Sequence, residues 1–191
     1  MRRSIFAFLV VGLLVAACHG GDREKASSPT ALQQAAVGVT LRTDQQQYPR
    51  GTAPKLDMVL HNNGGTTCKL PTSPVGSVDV VSVMRDGEAV VGNAGNATYY
   101  GGIGDVVNRG LKDVAPGAEA TVPLDIRALA NSPAVLVVSR PTGAGDADLT
   151  SWKLDAPGKY KVTARLAPVA GTAETCVTPS ALAAVEFEVT P

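Results

Sequence analysis

Short runs of alternating apolar and polar residues, each cut off by glycine or proline, constrain the fold of this chain more than any other feature. Side chains that alternate every second residue line the two faces of a strand, whereas a helix repeats every 3.6 residues. Val37–Thr43, Lys55–His61, Val78–Arg85, Ala118–Ile126, Lys159–Leu166 and Leu182–Val189 have the strand period, and the continuous apolar run Ala134–Ser139 reads as a buried strand. The 20 glycines and 13 prolines fall between these runs instead of in one block, so they read as turns. Asp86-Gly87 suits the tight turn of a hairpin into Glu88–Val91, and Pro123, which lacks an N–H, assigns its run to a sheet edge. Asp44–Pro54 and Asn62–Gly65 read as turns, and Cys68 and Leu70 sit in a short segment ending at Pro71. Arg127–Asn131 has room for one helical turn. Gly92–Gly104 and Arg140–Thr150 lack apolar periodicity and are expected as long, mobile loops. Eight or nine short strands, with no helix long enough to cover a sheet, predict an all-β antiparallel sandwich.

The first 36 residues follow another pattern. Arg2 and Arg3 precede the apolar run Ile5–Ala17, which stops at Cys18. A basic start, an apolar run and a small-residue cleavage site make a signal peptide. As a helix the run would reach about 20 Å, short of the roughly 30 Å hydrocarbon core, which disfavours a permanent span. Val15-Ala16-Ala17-Cys18 resembles the lipobox of bacterial lipoproteins. The resemblance implies a signal peptide over residues 1–17, acyl chains on Cys18 and attachment of the mature chain to a membrane. His19 in place of an aspartate implies, in a Gram-negative cell, the outer membrane facing the periplasm. The competing reading is an ordinary secretory signal followed by an unrelated cysteine. Residues 18–36 are small, polar and aperiodic, a flexible tether to a domain over residues 37–191. Cleavage removes two of the 17 basic residues and none of the 17 acidic ones, a balance that argues against a nucleic-acid partner.

With Cys18 assigned to lipid, Cys68 and Cys176 remain as an even pair in an oxidising compartment, where a disulfide is the economical reading. It would close a loop of about a hundred residues, worth roughly 4 to 5 kcal/mol in the chain-entropy model. Two buried free thiols are the alternative. A metal site is disfavoured, because beyond the tether only His61 could join the cysteines.

Leu60-His61-Asn62-Asn63-Gly64, Val80–Gly87, Val114-Ala115-Pro116-Gly117 and Ala156–Val162, in that order, resemble bacterial immunoglobulin-like domains. Two families share this grammar: the intracellular proteinase inhibitors, and the immunoglobulin-like domain preceding the catalytic part of deuterolysin-like zinc peptidases. The resemblance implies an immunoglobulin-like sandwich over roughly residues 37–190. Turns and core positions carry it, so it speaks to architecture more than to activity. No inhibitor reactive-site motif has a counterpart here, and the chain has no His-Glu-x-x-His.

The search for catalytic sets finds little. His61 is the domain's lone histidine and reads as a turn residue, and neither a Gly-x-Ser-x-Gly elbow nor a phosphate-binding loop is present. Gly101-Gly102-Ile103-Gly104 lacks dinucleotide spacing and is not expected to open a helix. Asp146 and Asp148 could offer oxygens to calcium but read more simply as solvated loop acids, and Asn96-Ala97-Thr98 fits a glycosylation sequon. Tyr99 and Tyr100 either form a contact surface or cap the core, and Trp152 reads as core. The functional expectation is a lipid-anchored envelope protein that binds an envelope partner or serves structurally, with no catalytic residue, metal or cofactor. Proteinase inhibition is the alternative; an enzyme built on His61 and acidic residues is a third reading.

Overall fold

The computed structural model describes residues 36–100, 102–128, 133–143, 145–167, 176 and 182–191. Its elements begin with β1 (Val37–Thr43), β2 (Gln47–Pro49), β3 (Leu56–Asn62), β4 (Cys68–Pro71), β5 (Val78–Arg85), β6 (Glu88–Ala89) and β7 (Asn93–Thr98). The helix α1 (Ile103–Arg109) follows, then β8 (Leu111–Val114), β9 (Glu119–Pro123), β10 (Asp125–Arg127), β11 (Val135–Pro141), β12 (Asp146–Lys153), β13 (Gly158–Leu166) and β14 (Ala183–Thr190).

Alternation sorts β3 and β13 into an inner and an outer face. Leu56, Met58 and Leu60 point inward from one, and Tyr160, Val162, Ala164 and Leu166 from the other, all nearly inaccessible. β3 lies between β1 and β9 in an antiparallel sheet. β13 is central to a second sheet ordered β2-β14-β13-β5-β6, antiparallel except that β2 runs parallel to β14. Side chains from both sheets merge in one core. At about 1.5 to 3 kcal/mol for each large apolar side chain removed from water, this shared layer dominates the stability of the fold.

One end of that core is aromatic. Tyr160 stacks on Phe187 with ring centres 5.4 Å apart, and Tyr48 meets Phe187 edge-on at 5.7 Å. The Tyr160 hydroxyl donates to the Ala156 carbonyl at 3.0 Å, the geometry of the tyrosine corner of immunoglobulin domains. Burial pushes this hydroxyl above the ordinary tyrosine pKa, so it stays a neutral donor. With this strand order, the architecture is an immunoglobulin-like β-sandwich.

Two turns show how sequence sets the register. Asp86 and Gly87 have φ of 51° and 85°, the paired positive values of a tight β5–β6 hairpin turn. Gly158 has φ of 144°, and a Cβ there would collide with the Asp86 carboxylate. That carboxylate accepts the Lys159 N–H at 2.8 Å, tying the hairpin to the start of β13.

Cys68 in β4 and Cys176 form a disulfide with Cα atoms 5.5 Å apart, within the range the bond requires. Beside it, Asn62 is fully buried at the end of β3 and is not a turn residue. Its Nδ2 donates to the Thr66 and Val114 carbonyls at 2.8 and 2.9 Å, and its Oδ1 accepts the Gly64 N–H. This one amide satisfies backbone groups of the turn after β3, at Gly64 and Thr66, and of Val114 at the end of β8.

Several sequence expectations need correction. Fourteen strand segments occur among the described residues, not eight or nine, because β2, β4, β6, β8 and β10 are only two to four residues long. β2 lies inside the stretch expected as turn. The run Ala118–Ile126 divides after Pro123 into β9 and β10, which join different sheets, and Pro123 does sit on an edge strand. Arg127 closes β10; residues 129–131 of the expected helical turn lie outside the described residues. Gly102 caps α1, so this glycine segment does open a helix, in which Ile103 and Val107 lie one turn apart and are buried. The expected loops Gly92–Gly104 and Arg140–Thr150 are largely strand, paired to each other through β7 and β12.

Candidate binding edge

β7 and β12 belong to a third sheet, ordered β10-β11-β12-β7. Its inner end feeds the main core through Leu136, Trp152 and Leu154. Its outer end covers a small second cluster of Ile103, Val107 and Ala147, with Val75 and Tyr99 packed against it. Arg140 in β11 also ties this sheet to the sandwich. Its guanidinium reaches Asp79 Oδ1 at 2.7 Å, while Arg165 Nε and Nη2 hold Oδ2 at 2.9 and 2.7 Å. Burial alone would raise the Asp79 pKa, but the hydrogen bonds and charges of Arg165 and Arg140 outweigh it and hold the carboxyl below the ordinary aspartate value.

β7 is a strand because β12 supplies its ladder without interruption, from Asn93 opposite Ser151 to Thr98 opposite Asp146. Both ends are pinned. At the start, a Cβ on Gly92 would come within 2.8 Å of Thr150 Cγ2 and 2.9 Å of Trp152 Nε1, so only glycine lets the chain pass. At the far end, the Tyr99 N–H donates to Gly145 O at 2.7 Å and its hydroxyl to Ser139 Oγ at 2.9 Å.

The Tyr99 bond also sets which backbone groups face outward. In an antiparallel ladder, inward and outward groups alternate, so the N–H and C=O of Ala94, Asn96 and Thr98 point away from β12. Among the described residues no strand lies on that side. Folded proteins blunt such edges with charge, proline, bulges or brevity. The other edges here show these devices: β2 ends in Pro49, β6 has two residues, β9 carries Pro123, and β10 carries the Asp125–Arg127 ion pair at 2.5 Å. β1 carries Arg42 and runs beside β14. Asn93-Ala94-Gly95-Asn96-Ala97-Thr98 has none of them.

The structure separates the paired tyrosines: Tyr99 turns inward onto Ile103, Val107 and Ala147, while Tyr100 is 98% exposed. Trp152 is core. His61 is not a turn residue: it lies on β3 between Gly38 and Glu119, with its Nδ1 2.6 Å from Asn63 Oδ1. Asp146 and Asp148 lie on β12 instead of in a loop, Asp146 accepting from Thr98 Oγ1 at 3.0 Å. Among the described residues no three His, Cys, Asp or Glu side chains gather as a metal site. Cys18 and its apolar leader lie outside the described residues, among which no helix is long and apolar enough to cross a membrane. A groove of about 820 Å³ lies over the five-stranded sheet, where Lys161 and Glu186 neutralise one another at 3.0 Å. No protein-family model, curated protein or solved structure matches the chain.

Proposed function

We propose that this chain is a lipid-anchored protein of the cell envelope that binds a protein partner, without catalysis, at the open edge of β7. One observation carries the binding part: a six-residue edge strand free of charge, proline and bulge, with outward backbone groups unpaired among the described residues. An extended segment added there gains main-chain hydrogen bonds at once, the mode called strand addition. The anchoring part is supported by the basic start, the apolar run and the lipobox-like residues ending at Cys18.

Metabolic labelling with a fatty acid tests the anchor. Wild type should carry label in the envelope fraction and Cys18→Ser should carry none; a labelled serine variant would end that reading. Proteinase inhibition, the alternative raised by the family resemblance, predicts that the purified protein slows a protease, which the binding reading does not require.

A further inference from the structure

Asn63-Gly64 is the single Asn-Gly pair in the sequence. An asparagine can lose its side-chain amide when the backbone nitrogen of the next residue attacks its Cγ, and glycine, with no Cβ in the way, hinders that ring closure least. Asn63 is exposed in the turn after β3, and its two preceding neighbours act on this reaction in opposite senses. His61 Nδ1 lies 2.6 Å from Asn63 Oδ1, a contact that an N–H makes to a carbonyl oxygen and that draws electrons away from Cγ. Asn62 Oδ1, by contrast, accepts the Gly64 N–H at 3.0 Å and so occupies the nitrogen that would attack. Asn62 is fully buried, and its Nδ2 is held by the Thr66 and Val114 carbonyls, so it does not swing aside easily.

We propose that Asn63 is a self-modification site, activated by His61 and held in check by Asn62. When the Gly64 N–H parts from Asn62 Oδ1, it gives its proton to solvent and the nitrogen bonds to Asn63 Cγ, while His61 Nδ1 donates to Oδ1. The Cγ–Nδ2 bond then breaks, and the side-chain nitrogen takes up a proton and leaves as ammonia. The cyclic imide that remains is opened by water at either carbonyl. One opening gives aspartate; the other gives isoaspartate, whose main chain runs through Cβ and Cγ.

The place makes this change consequential. The Asn63 N–H donates to the Ala36 carbonyl at 2.9 Å, immediately before β1 and at the root of the segment read as a tether. Asn63 Nδ2 also lies 2.9 Å from where a Cβ on Gly38 would stand, so the side chain rests on β1 itself. A new negative charge and a lengthened main chain at this point loosen the clasp of the turn on the first strand. The effect is independent of the β7 edge.

The test follows residue 63 in the full exported chain, purified in detergent and incubated at neutral pH both folded and in urea. Peptide mass mapping and enzymatic methylation of isoaspartate give the rate. In the folded protein, isoaspartate should gather at residue 63 ahead of Asn93, Asn96 and Asn108, and more slowly than in urea, where Asn62 no longer holds the Gly64 N–H. His61→Val, which suits a strand and removes the donor, should slow the folded reaction several-fold and leave the rate in urea unchanged. Gly64→Ala, whose Cβ would meet Asn62 Oδ1 alone at 3.2 Å, should nearly stop it in both states. Folded protein that forms no isoaspartate at residue 63, or forms it equally at the other asparagines, overturns the proposal. An equal folded rate in His61→Val removes the role of His61, and a folded rate matching that in urea removes the check by Asn62.

Discussion

The five-stranded sheet and the four-stranded sheet use the same antiparallel ladder, yet they stand differently toward solvent. The first packs Val83, Val162, Val185 and Phe187 into a core shared with β1, β3 and β9, and its edges are brief or proline-bearing. The second buries its outer end in a small cluster, Ala147 against Ile103 and Val107 of α1, and leaves β7 open. Burial on one face therefore decides how firmly a sheet is held, and edge chemistry decides whether it can take another strand. The two properties are separable within one chain.

The sharpest test of this contrast is Phe187→Ala, which opens a cavity between Tyr48 and Tyr160 and should cost about 3 to 5 kcal/mol in denaturant unfolding. A loss under 1 kcal/mol would mean the aromatic end is not the anchor of the sandwich. Replacing Cys68 and Cys176 together with serine should cost about 2 to 4 kcal/mol, seen as a lower midpoint in every probe at once, because the bond ties β4 to the segment before β14. Val107→Ala should cost about 1 to 3 kcal/mol, and locally. Hydrogen exchange should quicken at β7 and β12 while β13 is unchanged; equal quickening in β13 would show that the two clusters unfold as one.

The smallest effect lies where the two regions meet. Asp79 has a depressed pKa in the folded protein, so its contribution is complete above the unfolded aspartate value near 3.9 and is lost as pH falls through the lower folded value. Asp79→Asn should remove that part of the acid-side slope and cost roughly 1 kcal/mol at neutral pH. An unchanged slope in the variant would show that the Arg140–Asp79–Arg165 bridge does not couple the sheets.

The sandwich was legible in the sequence because β13 and β14 each have one buried and one wet face, which writes a period of two into the residues. Asp86-Gly87 and Pro123 were legible because backbone sterics leave them few other places. β7 was not, since Asn, Ala, Gly and Thr bury almost nothing and take their strand form from β12. β12 itself hid for another reason: Ala147 enters the small cluster on one face and Trp152 the main core on the other, so the strand changes phase along its length. Neither composition nor spacing could say which tyrosine turns inward; Tyr99 does, because it shares a face with Ala147 beside Ile103 and Val107 and its hydroxyl reaches Ser139 Oγ. Asn62 looked like the first residue of a turn because asparagine beside Asn-Gly-Gly usually is one.

The second sheet is assembled from two stretches that are distant along the chain: β7 lies between β6 and β8, and β10 to β12 lie between β9 and β13. Thr98 and Asp146, which share a rung, are 48 residues apart. Such a ladder carries the entropic cost of closing a long loop. The two stretches are also interdependent under sequence change. A chain that lost β7 would bare the longer edge of β12, with Leu149 half-buried beside it, to any strand in reach. By this account β7 guards the folding chain against indiscriminate pairing, and offers in exchange a shorter, polar edge on which pairing can be selective.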